Sequence, residues 1–125
     1  IDDSREFDRG VYKKYNFKNF TTEEFQKNGD KIVKELKNRK IKNVIVHFDL
    51  DVLNLYEFNS QYFAEPEIFD KYKDEFPVGA KISTVSKLIN DVNDNFNLIG
   101  LGITEHLPWA AIKLAKLLQE SPLIK

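Results

Sequence analysis

Cysteine and methionine are both missing from this chain of 125 residues. Without cysteine there are no disulfides and no thiolate metal ligands, which biases the expected compartment towards the cytoplasm and leaves oxygen and histidine nitrogen as metal donors. No run approaches the roughly 18 apolar residues of a membrane span, so no membrane partner is expected. Neither charge sign dominates, with 19 basic against 20 acidic residues. Phosphate binding needs a basic surface, so nucleic acid is not an expected partner either. Internal repeats and low-complexity segments are also lacking. The chain begins Ile1-Asp2-Asp3 with no initiator methionine, and the expectation is a processed protein or an excised fragment.

The apolar fraction of 42% excludes wholesale disorder, and the length suits one small domain. Charge is unevenly divided: residues 1–40 hold 11 basic and 8 acidic side chains, residues 41–125 hold 8 and 12. Residues 1–20 are polar and aromatic without a sustained period, and read as the end of a strand followed by an irregular connection. Thr21 and Glu24 form a capping-box pattern that opens a helix, with Phe25, Ile32, Val33 and Leu36 as its apolar stripe. The stretch 44-VIVHF-48 is β-rich and nearly continuous in apolar character, as in a central parallel strand. A long aromatic loop covers 54–80, with a short helix expected near 66–76. A second helix starts at Ser83 or Thr84 and carries Val85, Leu88, Ile89, Val92 and Phe96. A second strand spans 98–103. Pro108 then opens a third helix with Ala111, Leu114, Ala115 and Leu118 on one side. Helices alternating with strands in this order predict an α/β fold, a three-layer α/β/α arrangement around a mostly parallel sheet.

The first strand ends in Asp49 and Asp51. If it stays extended that far, alternation places both carboxylates on one face, about 6.6 Å apart at Cα. Ionised carboxylates so close repel one another, and a hard divalent cation such as Mg²⁺, Mn²⁺ or Ca²⁺ offsets that cost. Ligands of α/β folds bind beyond the carboxyl ends of strands, where these residues lie. Turn capping is the alternative use of the same side chains. His47 shares their face, as a further ligand, a group supporting one, or a buried histidine with an ordinary hydrogen bond. Glu105 follows the second strand as Asp51 follows the first. It can pair with a cationic group such as a guanidinium, or favour the helix N-terminus that follows at Pro108.

Taken in order, 46-VHFDLDVLN-54, 77-PVGAKIST-84 and 102-GITEHLP-108 resemble the C-terminal half of the arginase, agmatinase and formiminoglutamase family, the ureohydrolases. Residues 1–7 are similar to the stretch after that family's second catalytic strand, so the resemblance covers residues 1–125 as the C-terminal portion of an arginase-like domain. It implies a manganese-dependent hydrolase cleaving a guanidino or formimino C–N bond, with two Mn²⁺ ions in the complete protein. Asp49 is implied as a catalytic residue bridging both ions and Asp51 as a ligand of one. Glu105 is implied to bind the substrate and take part in catalysis, with His106 beside it in substrate binding, at a place where arginases usually carry asparagine. The chain departs from the family at Asn54-Leu55, where Asp-Pro is usual, at Gly79-Ala80, where Gly-Gly is usual, and through its long aromatic loop. It also lacks the G-G-D-H and D-A-H-x-D phrases that supply four further ligands. The expected partner is therefore a missing N-terminal half or a further copy in a homo-oligomer, and the isolated chain is expected to be inactive. The alternatives are a noncatalytic metal-binding or interaction domain derived from that fold and, fitting the order of elements less well, a receiver-like α/β domain.

Overall fold

A computed structural model describes residues 6–58 and 79–119. Its helices are α1 (Glu6–Tyr15), α2 (Thr22–Lys27), α3 (Asp30–Asn38), α4 (Ile82–Asn95) and α5 (Ala111–Gln119), and its strands are β1 (Asn43–Asp49) and β2 (Asn97–Thr104). Two 3₁₀ turns, Leu50–Val52 and Pro108–Ala110, follow β1 and precede α5. The strands pair in parallel with α4 between them in sequence, the βαβ order of an α/β fold. Among the described residues the sheet has two strands. No helix among them is long and apolar enough to cross a membrane.

The N-terminal region differs from the expected strand end, because residues 6–15 are helical. Phe7, Val11 and Tyr15 recur every four positions, a helical spacing that Gly10 in their midst obscures. The helix closes at Asn16, whose φ of 53° is left-handed. There the Phe17 N–H donates to the Tyr12 carbonyl at 2.9 Å, as in a Schellman cap. The capping box at Thr21 forms as the sequence suggests: Thr21 Oγ1 accepts the Glu24 N–H and Glu24 Oε2 accepts the Thr21 N–H, each at 3.1 Å. The helix it opens is not continuous, however. Asn28 leaves helical geometry at φ −156° and ψ 71°, and α3 restarts after Gly29. Asn-Gly supplies little helix propensity, so the stripe from Phe25 to Leu36 is shared between two helices.

The core gathers Phe25 of α2, Phe48 of β1, Leu50, Leu53 and Phe58 beyond that strand, Val85, Ile89 and Val92 of α4, Leu98 of β2, and Leu114 and Leu117 near the end of the chain. Leu88 and Phe96 complete the stripe of α4 from half-buried positions. In α5 the buried face differs from the expected one. Leu114 and Leu117 are buried beneath Ala110 while Ala111 and Ala115 are exposed, because the larger leucines take the core contact. The long loop is described at its ends. Leu53 bridges Ala80 in parallel, with the Asn54 N–H donating to the Ala80 carbonyl at 2.8 Å and the Ala80 N–H to the Val52 carbonyl at 2.7 Å. The expected helix near 66–76 lies outside the described residues.

Among the described residues, one face of the sheet is built into this core. Phe48 and Leu98 are buried and Val44, Val46, Leu101 and Ile103 pack against them. The opposite face presents Ile45 and His47 beside Gly100 and Gly102, and Ile45 is 69% exposed.

Candidate acidic site at the strand ends

Asp49 is the last residue of β1 and lies in register with Thr104, the last of β2. Asp51 belongs to the 3₁₀ turn rather than the strand, so strand alternation does not set its direction. The cause is the leucine between the two aspartates. Leu50 is fully buried and Leu53 nearly so, and a 3₁₀ turn brings residues three apart onto one side. Both leucines thereby reach the core while Asp51 is left exposed. Asp49 Oδ1 accepts the Asp51 N–H at 2.9 Å and so caps the turn that it precedes.

Glu105 enters from the other strand. It is the first residue past β2 and has a φ of 59°, a left-handed conformation uncommon for a residue with a side chain. The three carboxylates share one electrostatic environment. The Asp51 pKa is pushed up to about 6, first by partial desolvation, then by the negative charge of Asp49 and then by that of Glu105. Among the described residues no lysine or arginine is ion-paired with any of the three, whereas Glu23, Glu24, Asp30, Glu35 and Asp91 all have basic partners.

The histidines take different places. His47 is exposed on the sheet face opposite Phe48, and its Nε2 lies 3.2 Å from Thr104 Oγ1, a hydrogen bond joining the two strands just before their acidic ends. His106 is exposed after Glu105, and among the described residues no hydrogen bond or ion pair ties it to the three carboxylates.

The donors are hard oxygens, the type that Mg²⁺ and Mn²⁺ prefer. Among the described residues, though, no group of three or more histidine, aspartate or glutamate side chains is arranged to hold a metal ion. A groove of about 470 Å³ lies elsewhere, between the α2–α3 junction and α4, floored by Phe25 and edged by Lys27, Asp30, Lys87 and Asp91. It includes none of the three carboxylates.

Two further contacts near the site carry no short-range sequence signal. Glu57 Oε2 accepts the Ile82 N–H at 2.9 Å, and Gln26 Nε2 donates to the Gly79 carbonyl at 3.1 Å. Both fasten the segment that leads into α4. No family model and no curated protein matches the chain.

Proposed function

We propose that this chain is the C-terminal portion of a three-layer α/β/α, manganese-dependent hydrolase of the ureohydrolase kind. The observation that carries this reading is the approach of Asp49, Asp51 and Glu105 at the carboxyl ends of two adjacent parallel strands, without a basic partner among the described residues. Asp49 and Asp51 serve as metal ligands, and Glu105, with His106 beside it, receives the cationic end of a guanidino or formimino substrate. Asp49 and Asp51 would contribute ligands to Mn²⁺, which would supply an activated water and electrostatic stabilisation for C–N bond cleavage when bound. The Asp51 pKa is raised first by partial desolvation and then by Asp49 and Glu105, and a bound cation would favour its charged form. The remaining ligands come from polypeptide outside this chain, and residues 1–125 alone are inactive.

A second reading is favoured by Asp49 being engaged as a turn cap. On it the fold is a noncatalytic metal-binding or interaction domain, with the aspartates serving the turn.

Calorimetric Mn²⁺ titration separates the two. The hydrolase reading expects the chain to bind at most one ion, weakly, with the heat abolished in Asp49→Asn and Asp51→Asn. It also expects two tight ions and release of urea or formamide once polypeptide carrying the missing His and Asp ligands is supplied. Two tight ions on the chain alone, or binding indifferent to both substitutions, would overturn it. Absence of turnover from the supplemented protein, with ions bound, would leave the noncatalytic domain.

A further inference from the structure

Asn28 and Gly29 form the single Asn-Gly pair of the chain, and they stand at the joint where α2 stops and α3 restarts. In such a pair the glycine nitrogen can attack the side-chain carbon of the asparagine, because glycine has no Cβ to hinder the approach. Every other asparagine is followed by a residue with a side chain. Asn28 is exposed, and among the described residues its side chain makes no hydrogen bond and nothing accepts the Gly29 N–H.

The attack needs the Gly29 nitrogen on the same side of the Cα–C bond as the Asn28 side chain, which for an L-residue means a ψ of about −120°. Asn28 has a ψ of 71°, with the nitrogen turned away. A half-turn of the rigid peptide plane between the two residues corrects this while both Cα atoms stay in place. It brings ψ of Asn28 to about −110° and φ of Gly29 from −58° to about +120°. Glycine takes that φ without steric cost, and other residues do not. The half-turn breaks the hydrogen bond from the Lys31 N–H to the Asn28 carbonyl, a long one at 3.2 Å. The bonds from the Asn28 N–H to the Glu24 carbonyl and from the Ile32 N–H to the Gly29 carbonyl lie outside the moving plane.

We propose that Asn28 is a self-modifying site, converted in the folded chain to aspartate and isoaspartate through a cyclic imide with Gly29. Solvent base takes the Gly29 amide proton, and the nitrogen bonds to Asn28 Cγ. The Cγ–Nδ2 bond breaks, and the side-chain nitrogen takes a proton from solvent and leaves as ammonia. Water then adds to either imide carbonyl: opening at Cγ gives aspartate, and opening at the backbone carbon gives isoaspartate. One water is taken up and one ammonia released, with no oxidant or reductant. Either product places a carboxylate at the rim of the groove that Asn28 lines, where Lys27 and Lys87 balance Asp30 and Asp91. The rim thereby becomes acidic. Isoaspartate also carries the backbone through the former side chain and lengthens the joint between α2 and α3.

Incubation of the full chain at mildly alkaline pH, followed by peptide mapping that separates aspartate from isoaspartate, tests this. Asn28 is expected to convert at least tenfold faster than the exposed Asn16 and Asn38. Because the half-turn breaks one described hydrogen bond, the folded chain is expected to keep at least a tenth of the rate found in urea. Conversion is expected to slow as pH falls, since it starts with loss of the amide proton. Gly29→Ala is expected to slow it at least tenfold. The new Cβ would lie 3.7 Å from the Phe25 carbonyl oxygen, an ordinary contact, and a φ of −58° suits alanine, so this variant keeps the native circular dichroism. A smaller lead over Asn16 and Asn38, a lower fraction of the rate in urea, a rate indifferent to pH, or undiminished conversion in Gly29→Ala would overturn the proposal.

Discussion

Lys40 holds its backbone at a φ of 56° where α3 ends. Its N–H donates to the Lys37 carbonyl at 2.9 Å and the Ile41 N–H to the Leu36 carbonyl at 3.1 Å, the paired bonds of a Schellman cap. Glycine reaches this conformation without steric cost, whereas a residue with a Cβ loses about 1–2 kcal/mol. Lys40→Gly is therefore expected to stabilise the fold by about 0.5–1 kcal/mol in urea denaturation, after the greater entropy of unfolded glycine is offset. Gly79 presents the reverse case. A Cβ there would lie 2.3 Å from the Leu53 carbonyl oxygen and 2.7 Å from the Asn54 nitrogen, both backbone atoms held by the bridge to Ala80. Gly79→Ala is expected to lower stability by about 1–3 kcal/mol in the same assay, with backbone displacement at Leu53 visible as amide shift changes.

Among the elements, α4 depends on a residue far from it in sequence. Its N-cap, Lys81, makes no side-chain hydrogen bond, and the Glu57 carboxylate caps the Ile82 N–H instead, favoured also by the positive end of the helix. Glu57→Ala is expected to cost about 1 kcal/mol and to speed amide exchange in the first turn of α4, with little change in α2. The contrast with α2 explains which features were legible beforehand. Thr21 and Glu24 are three residues apart and announce their helix by spacing alone, whereas Glu57 and Ile82 are 25 apart. Both strands and α4 were readable because their apolar patterns are local and continuous. The helix α1 was not, because Gly10 and a run of charges dilute its period, and the break at Asn28 was hidden inside a longer helical pattern. At the site, strand-end carboxylates were visible at Asp49 and Asp51. The turn that separates their directions was not, because it follows from Leu50 and Leu53 both requiring the core.

At the scale of the whole molecule, Asp51 couples stability to pH. Asp51 has a folded-state pKa of about 6 against an ordinary 3.8, so between those values the folded chain holds a proton that the unfolded chain releases. The contribution of Asp51 to stability therefore rises as pH falls from above 6 towards 3.8, and is fully present below the lower value. Asp51→Asn removes this dependence. It is expected to be more stable than the native chain at pH 7, with the gap closing on acidification, as measured by urea midpoints across that range. Saturating Mn²⁺ is expected to erase the gap at pH 7 if the cation takes this site, because bound charge replaces the proton.

The pairing of β1 with β2 also governs the order in which the chain acquires its shape. Asn43 meets Asn97, and no strand hydrogen bond forms until the whole of that intervening chain has been gathered into a closed loop. Loop-closure entropy is lost before the pairing rewards it, whereas α2, with its capping box, and α3 complete their contacts within a few residues. The sheet is thus the late event of folding, and each newly made chain passes through a stage with helices formed and two apolar strands still unjoined. Asp49 and Asp51 are neighbours from the start, whereas Glu105 joins them with β2, so its repulsion of that pair acts on the last barrier rather than on the initial collapse.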